Sequence, residues 1–76
     1  MKPLTERQMD VLYAIKQFIE EKRYAPTVRE VMKLVGHQSQ STTHGLMTKL
    51  KLQGYISWDA SKPRTLFIIK DTTSTF

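Results

Sequence analysis

Between Pro26 and Gly36 the chain has room for only about two turns of helix, and this brevity constrains the fold more than any other feature. A proline disfavours the helical region for the residue before it, so Tyr24, Ala25 and Pro26 break whatever helix precedes them. Thr27 and Glu30 then stand in capping-box spacing, Val28, Val31, Met32 and Val35 supply one apolar face, and Gly36 falls where a left-handed C-terminal cap belongs. This helix starts and stops abruptly, and its neighbours decide the architecture.

Upstream, Thr5 and Gln8 have the same capping-box spacing, and Val11, Leu12, Ile15, Phe18 and Ile19 follow at i, i+1, i+4, i+7 and i+8. The pattern predicts a helix from about Glu6 to Lys22, with the stripe as core and Asp10, Lys16, Gln17, Glu20 and Glu21 as solvated surface. Downstream, after a polar linker from His37 to Gln40, Ser39 or Ser41 can cap a third helix over about residues 40–52. Thr43, Met47 and Leu50 share its inner face, and Gly54 ends it. Two short helices joined by a glycine-containing turn form the helix-turn-helix pattern.

From Tyr55 the period changes. Tyr55 to Trp58 is rich in β-formers, Asp59 to Arg64 is a turn-forming loop around Pro63, and Thr65 to Ile69 is a second β-rich run. A lone hairpin is unstable in water, so this one must pack on the helices, with Ile56, Leu66 and Ile68 pointing inward. The expected fold is α+β, a three-helix winged helix-turn-helix whose C-terminal two-stranded β-hairpin is the wing. It forms one DNA-binding domain over residues 1–70, followed by a frayed, disordered tail over 71–76.

The 76 residues hold one small core, with no room beside it for a catalytic domain. Without cysteine there is neither a disulfide nor a thiolate metal site, and His37 and His44 have no carboxylate at metal-ligand spacing. A glycine-rich phosphate loop is missing too, so the expectation is no enzyme activity, no cofactor and no metal. No apolar run suits a signal peptide or the roughly 20 residues of a membrane helix, which predicts a soluble, cytoplasmic protein away from membranes. The net charge of +5 favours polyanions through counterion release. Up to Arg23 basic and acidic residues nearly balance; the excess comes from Arg29, Lys33, Lys49, Lys51, Lys62, Arg64 and Lys70. Double-stranded DNA is the expected partner.

A helix that reads duplex DNA needs an inner face for the core and small polar groups outside, near its N-terminus. With Thr43, Met47 and Leu50 inward, helical spacing turns Ser41, His44, Gly45 and Thr48 outward, with Thr42 and Lys49 beside them. Short hydroxyls let the helix enter the major groove, about 12 Å wide; His44 can donate or accept at a purine edge, and Gly45 permits close backbone approach. The plainer alternative makes Ser39, Ser41 and Thr42 simple helix-capping residues and His44 an ordinary exposed histidine. Lys62 and Arg64 flank Pro63 at the hairpin tip, where a wing touches the sugar-phosphate backbone or enters the minor groove; a solvated loop would look similar. Arg29, near the start of the second helix, is either a phosphate contact or a plain surface charge.

Three short motifs carry more than a fold class. Leu4-Thr5-Glu6-Arg7-Gln8, Pro26-Thr27-Val28-Arg29-Glu30 and Ser41-Thr42-Thr43-His44-Gly45, in this order and spacing, resemble the N-terminal DNA-binding domain of the LexA family, in its Gram-positive branch. There the recognition helix typically runs Ser-Thr-Val-His-Gly-His-Leu and the hairpin Asp-Pro-Thr-Lys-Pro-Arg, echoed by Asp59-Ala60-Ser61-Lys62-Pro63-Arg64. The resemblance covers about Leu4 to Ile69. It implies sequence-specific binding, as a two-fold dimer, to a palindromic operator of the SOS response, and transcriptional repression there. By position Ser41, Thr42, His44 and Arg64 inherit base reading and backbone holding. The family also carries a second domain with a Ser-Lys self-cleaving site; none of it lies in these residues, so the chain is either the domain of a longer protein or a free-standing relative.

Departures from the family pattern matter too. Leu46 replaces a second histidine, exchanging a polar base-reading group for one that can meet a thymine methyl, and Trp58 stands where the pattern has a basic residue. Leu52 and Gln53 lie in a stretch that is usually more charged. Exposed apolar and aromatic groups are enriched at protein interfaces, so the same surface has an alternative reading as a protein-interaction module, for example a mobile-element factor pairing with a host repressor.

Overall fold

The computed structural model describes residues 4–70; the tail expected at 71–76 lies outside them. α1 (Glu6–Lys22) begins with a complete capping box: the Thr5 hydroxyl accepts from the Gln8 N–H at 3.1 Å, and the Gln8 side chain accepts from the Thr5 N–H at 2.9 Å. It ends at Arg23, whose left-handed φ of 67° turns the chain toward Ala25 and Pro26. α2 (Val28–Val35) repeats the device with Thr27 and Glu30 and stops at Gly36, φ 78°. α3 spans Gln40–Leu52.

One expected cap is corrected. Ser39 takes the N-cap position of α3 without a side-chain capping bond, and Ser41 already lies inside the helix. The turn into α3 is held instead by Thr43, whose hydroxyl meets the His37 Nδ1 at 2.8 Å. Thr43 is fully buried, and its hydroxyl also donates to the Ser39 carbonyl at 3.5 Å, so the two bonds together satisfy a polar group inside the core.

The hairpin pairs β1 (Ile56–Ser57) antiparallel with β2 (Phe67–Ile68), Ile56 opposite Ile68 and Ser57 opposite Phe67. The strands are shorter than the β-rich runs at Tyr55–Trp58 and Thr65–Ile69 suggest, for two local reasons. At the open end the N–H groups of Ile69 and Lys70 both converge on the Tyr55 carbonyl, which ends the ladder. At the loop end the Thr65 hydroxyl accepts from the Asp59 N–H at 2.7 Å and lies 3.1 Å from the Asp59 carbonyl oxygen, so a side chain closes the loop where a ladder bond would run.

The core forms where the three helices meet and the hairpin closes over them: Val11, Leu12, Ile15, Val31, Met47, Leu50, Ile56 and Leu66 are buried together. Ile68 is partly buried against this cluster, while its chain neighbours Phe67 and Ile69 are exposed. Gln8, also buried, donates to the Gln53 side chain at 3.1 Å and ties the start of α1 to the end of α3. This packing leaves one long face of α3 uncovered beside the wing.

Candidate nucleic-acid interface

The uncovered face is set by helical phase. Thr43, Met47 and Leu50 anchor α3 in the core, and the phase that buries them exposes Ser41, Thr42, His44, Gly45 and Lys49, with Ser39 exposed just ahead. Thr48, expected to face fully outward, is half-buried, as is Leu46. Ser41, His44 and Gly45 line a shallow open depression together with Val28 and Gln40, so the start of α2 borders the face that α3 presents. Arg29, exposed on the first turn of α2, lies next in sequence to Val28.

Beside this depression a cleft of about 280 Å³ separates α3 from the hairpin; Pro26, Val28, His44, Met47, Trp58 and Leu66 form much of its wall. Trp58, just beyond β1, is half-buried in it. Its ring centroid lies 6.0 Å from that of His44 in an edge-on arrangement, and the Lys51 ammonium sits 4.6 Å over its ring.

The wing loop holds its shape through Asp59. The Asp59 carboxylate accepts from the Ser61 hydroxyl at 2.6 Å and from the Ser61 N–H at 3.0 Å, while the Lys62 N–H donates to the Asp59 carbonyl. The two bonds from Ser61, chiefly the one from its hydroxyl, hold the Asp59 carboxyl below the usual carboxylate range. Lys62 is exposed at the tip.

Arg64 sits differently from Lys62. Its backbone is left-handed, φ 54°, and its fork turns back toward α2: Nη1 donates to the Ala25 carbonyl at 2.8 Å and to Glu30 Oε1 at 3.0 Å, and Nη2 to Glu30 Oε2 at 3.2 Å. The guanidinium also lies 4.7 Å over the Tyr24 ring. Glu30 thus serves two partners at once, the Thr27 N–H of its capping box and Arg64; Arg64 first and Thr27 second hold its carboxyl below the ordinary value.

Ser39, Ser41, Thr42, His44, Gly45, Lys49 and Lys62 are thus all exposed, at the N-cap of α3, along that helix or on the wing beside it, with Arg29 on the bordering helix, while Arg64 is occupied from within the fold. Sequence reasoning missed Lys51 and Glu30 as parts of this surface, and placed Trp58 on it without its contact to His44. A basic residue in the last turn of α3 was a visible signal for Lys51, since cations favour that helix end. The link from Glu30 to Arg64 crosses 34 residues and leaves no local signature. Among the described residues no three His, Cys, Asp or Glu side chains gather as metal ligands, and no helix is long and apolar enough to cross a membrane.

Three helices with an uncovered third helix of small polar residues, flanked by a basic two-stranded arm, define a winged helix-turn-helix domain of the DNA-binding class. Residues 1–65 match the LexA DNA binding domain family, and the chain belongs to that family. It is 43% identical over 74 residues to the LexA repressor of Staphylococcus aureus strain USA300, covering 97% of this chain and 36% of that protein. It is 47% identical over 70 residues to the LexA repressor of Caldicellulosiruptor saccharolyticus, covering 92% of this chain and 35% of that one. The chain spans about a third of the length of these relatives.

Proposed function

We propose that this chain is a sequence-specific regulator of transcription, a repressor at SOS-type operators, that lays α3 in the major groove and rests its hairpin on the neighbouring backbone. The observation that carries this reading is the split of α3 into a wholly buried face, Thr43, Met47 and Leu50, and an exposed row of Ser41, Thr42, His44 and Gly45 at its N-terminal end. In this reading Ser41, Thr42 and His44 meet base edges, Gly45 lets the backbone approach, and Ser39, Thr48, Lys49 and Arg29 meet phosphates along the groove walls. Lys62 is the wing's phosphate contact. Arg64, engaged by Glu30 and Ala25, braces the wing that carries Lys62.

One copy contacting a handful of phosphates binds weakly at physiological salt, so two copies act on a palindrome with half-sites spaced about 34 Å, one helical turn. The rival reading, a protein-binding face, has less support, because Leu46 and Trp58 are packed partly against this chain's own core. The test is titration of the purified chain against a duplex selected from a random-sequence pool and against a scrambled duplex, each at two salt concentrations. A preference of about 10³-fold that His44→Ala erodes, with Lys62→Ala weakening both duplexes alike, supports the reading. Equal binding to both duplexes reduces it to non-specific attachment, and no binding at low salt overturns it in favour of a protein partner.

A further inference from the structure

We propose that Trp58 is the positioning residue for base reading, holding His44 in the orientation in which α3 presents it to DNA. This inference rests on the DNA-binding reading above. Three observations carry it. His44 and Lys51 are seven residues apart on α3, two turns and about 10 Å along its axis, and the single indole touches both. The Lys51 ammonium lies over the ring and reaches the Trp58 carbonyl oxygen at 3.4 Å, so ring and backbone of Trp58 are gripped by the same side chain. Trp58 is also packed partly against the core, which gives the indole a fixed seat from which to act.

His44 is otherwise exposed on an open helical face, and a free imidazole there would spread over several rotamers. An edge-on aromatic contact at 6.0 Å removes part of that freedom before DNA arrives. Ordering a side chain in advance lowers the entropy lost on binding, so the contact appears as discrimination between duplexes and not as general affinity. Trp58 therefore joins wing and recognition helix into one reading unit: it stands one residue beyond β1, and its neighbour Asp59 starts the wing loop.

The test separates a positioning ring from a structural wedge. Trp58→Leu keeps an apolar filler without an aromatic edge or face, whereas Trp58→Phe keeps the ring. Each is titrated against the pool-selected duplex and its scrambled counterpart, alone and combined with His44→Ala. The expected result is a loss of about tenfold in the selected-to-scrambled ratio for Trp58→Leu, with Trp58→Phe within about threefold of wild type. In the His44→Ala background Trp58→Leu should cost nothing further, because the interaction it supports is already gone. In the free protein, nuclear Overhauser contacts between indole and imidazole protons should be present in wild type. Equal losses for Leu and Phe, additive losses with His44→Ala, or absent Overhauser contacts would overturn the proposal while leaving the DNA reading intact. A wild-type chain that fails to discriminate the duplexes would overturn both.

Discussion

Arg64 and Glu30, 34 residues apart in the chain, meet through a two-pronged ion pair at 3.0 and 3.2 Å that fastens the wing to the first turn of α2. The same Glu30 carboxylate closes the α2 capping box, so the start of one helix and the posture of the arm share a single side chain. Both partners are partly exposed, so the pair matters more for where the wing points than for the stability of the core.

Glu30→Gln isolates that tie, because the amide oxygen still accepts from Thr27 but the charge for Arg64 is gone. Amide exchange in the wing loop, residues 59–66, should quicken in this variant near neutral pH while the helical core keeps its protection. The Glu30 carboxyl is held below its ordinary value of 4.5, so the pair's contribution is complete above that value and is lost as pH falls through the lowered one. The variant and the wild type should then exchange alike in strongly acidic solution, and a difference that persists there would locate the effect elsewhere.

Gly45→Ala should move stability and binding in opposite directions. Gly45 lies in the middle of α3 with nothing within 4 Å of an added Cβ, so alanine should stabilise the helix by up to about 1 kcal/mol, read as a higher urea midpoint. On the exposed face the same methyl group stands between backbone and groove, so affinity for the selected duplex should fall several-fold. A rise in both readouts would remove Gly45 from the contact surface.

Thr43→Val preserves shape in the core but deprives His37 of its 2.8 Å partner in the turn before α3. His37 is half-buried and recovers some bonding from water, so the cost should be about 1 kcal/mol in denaturant unfolding. His37→Ala should cost no more, and the double variant should show clear non-additivity if the two side chains act as one tie.

Trp58 is the only tryptophan in the chain and borders the proposed groove-facing surface, so its emission reports on binding without a label. Adding a selected duplex should change its fluorescence saturably, with a midpoint that weakens steeply as salt rises. A titration in which binding proceeds by another assay while emission stays constant would put the DNA away from this cleft.

The readable and unreadable parts of this fold divide by sequence distance. Thr5 with Gln8, Thr27 with Glu30, and Gly36 are signals complete within a few residues, and all three gave the helix limits seen in the structure. The inward face of α3 followed from periodicity, and Thr43, Met47 and Leu50 are buried as their spacing required. Strand length did not follow, because it depends on Tyr55 and Thr65 diverting bonds away from the ladder. Nor did the engagement of Arg64, since its position after Pro63 reads as an outward tip and only the folded chain brings Glu30, Ala25 and Tyr24 to it. The pairing of His44 with Trp58 was hidden for the same reason.

The wing has two residues in each strand and keeps its form through tethers: Asp59 to Ser61 and Thr65, and Arg64 to Glu30. Its base is built into the helices, because Ile56 and Leu66 belong to the core and Glu30 also caps α2. The arm is therefore a lever with a fixed root and an exposed tip, residues 60–63, and its lean follows from where Arg64 meets Glu30.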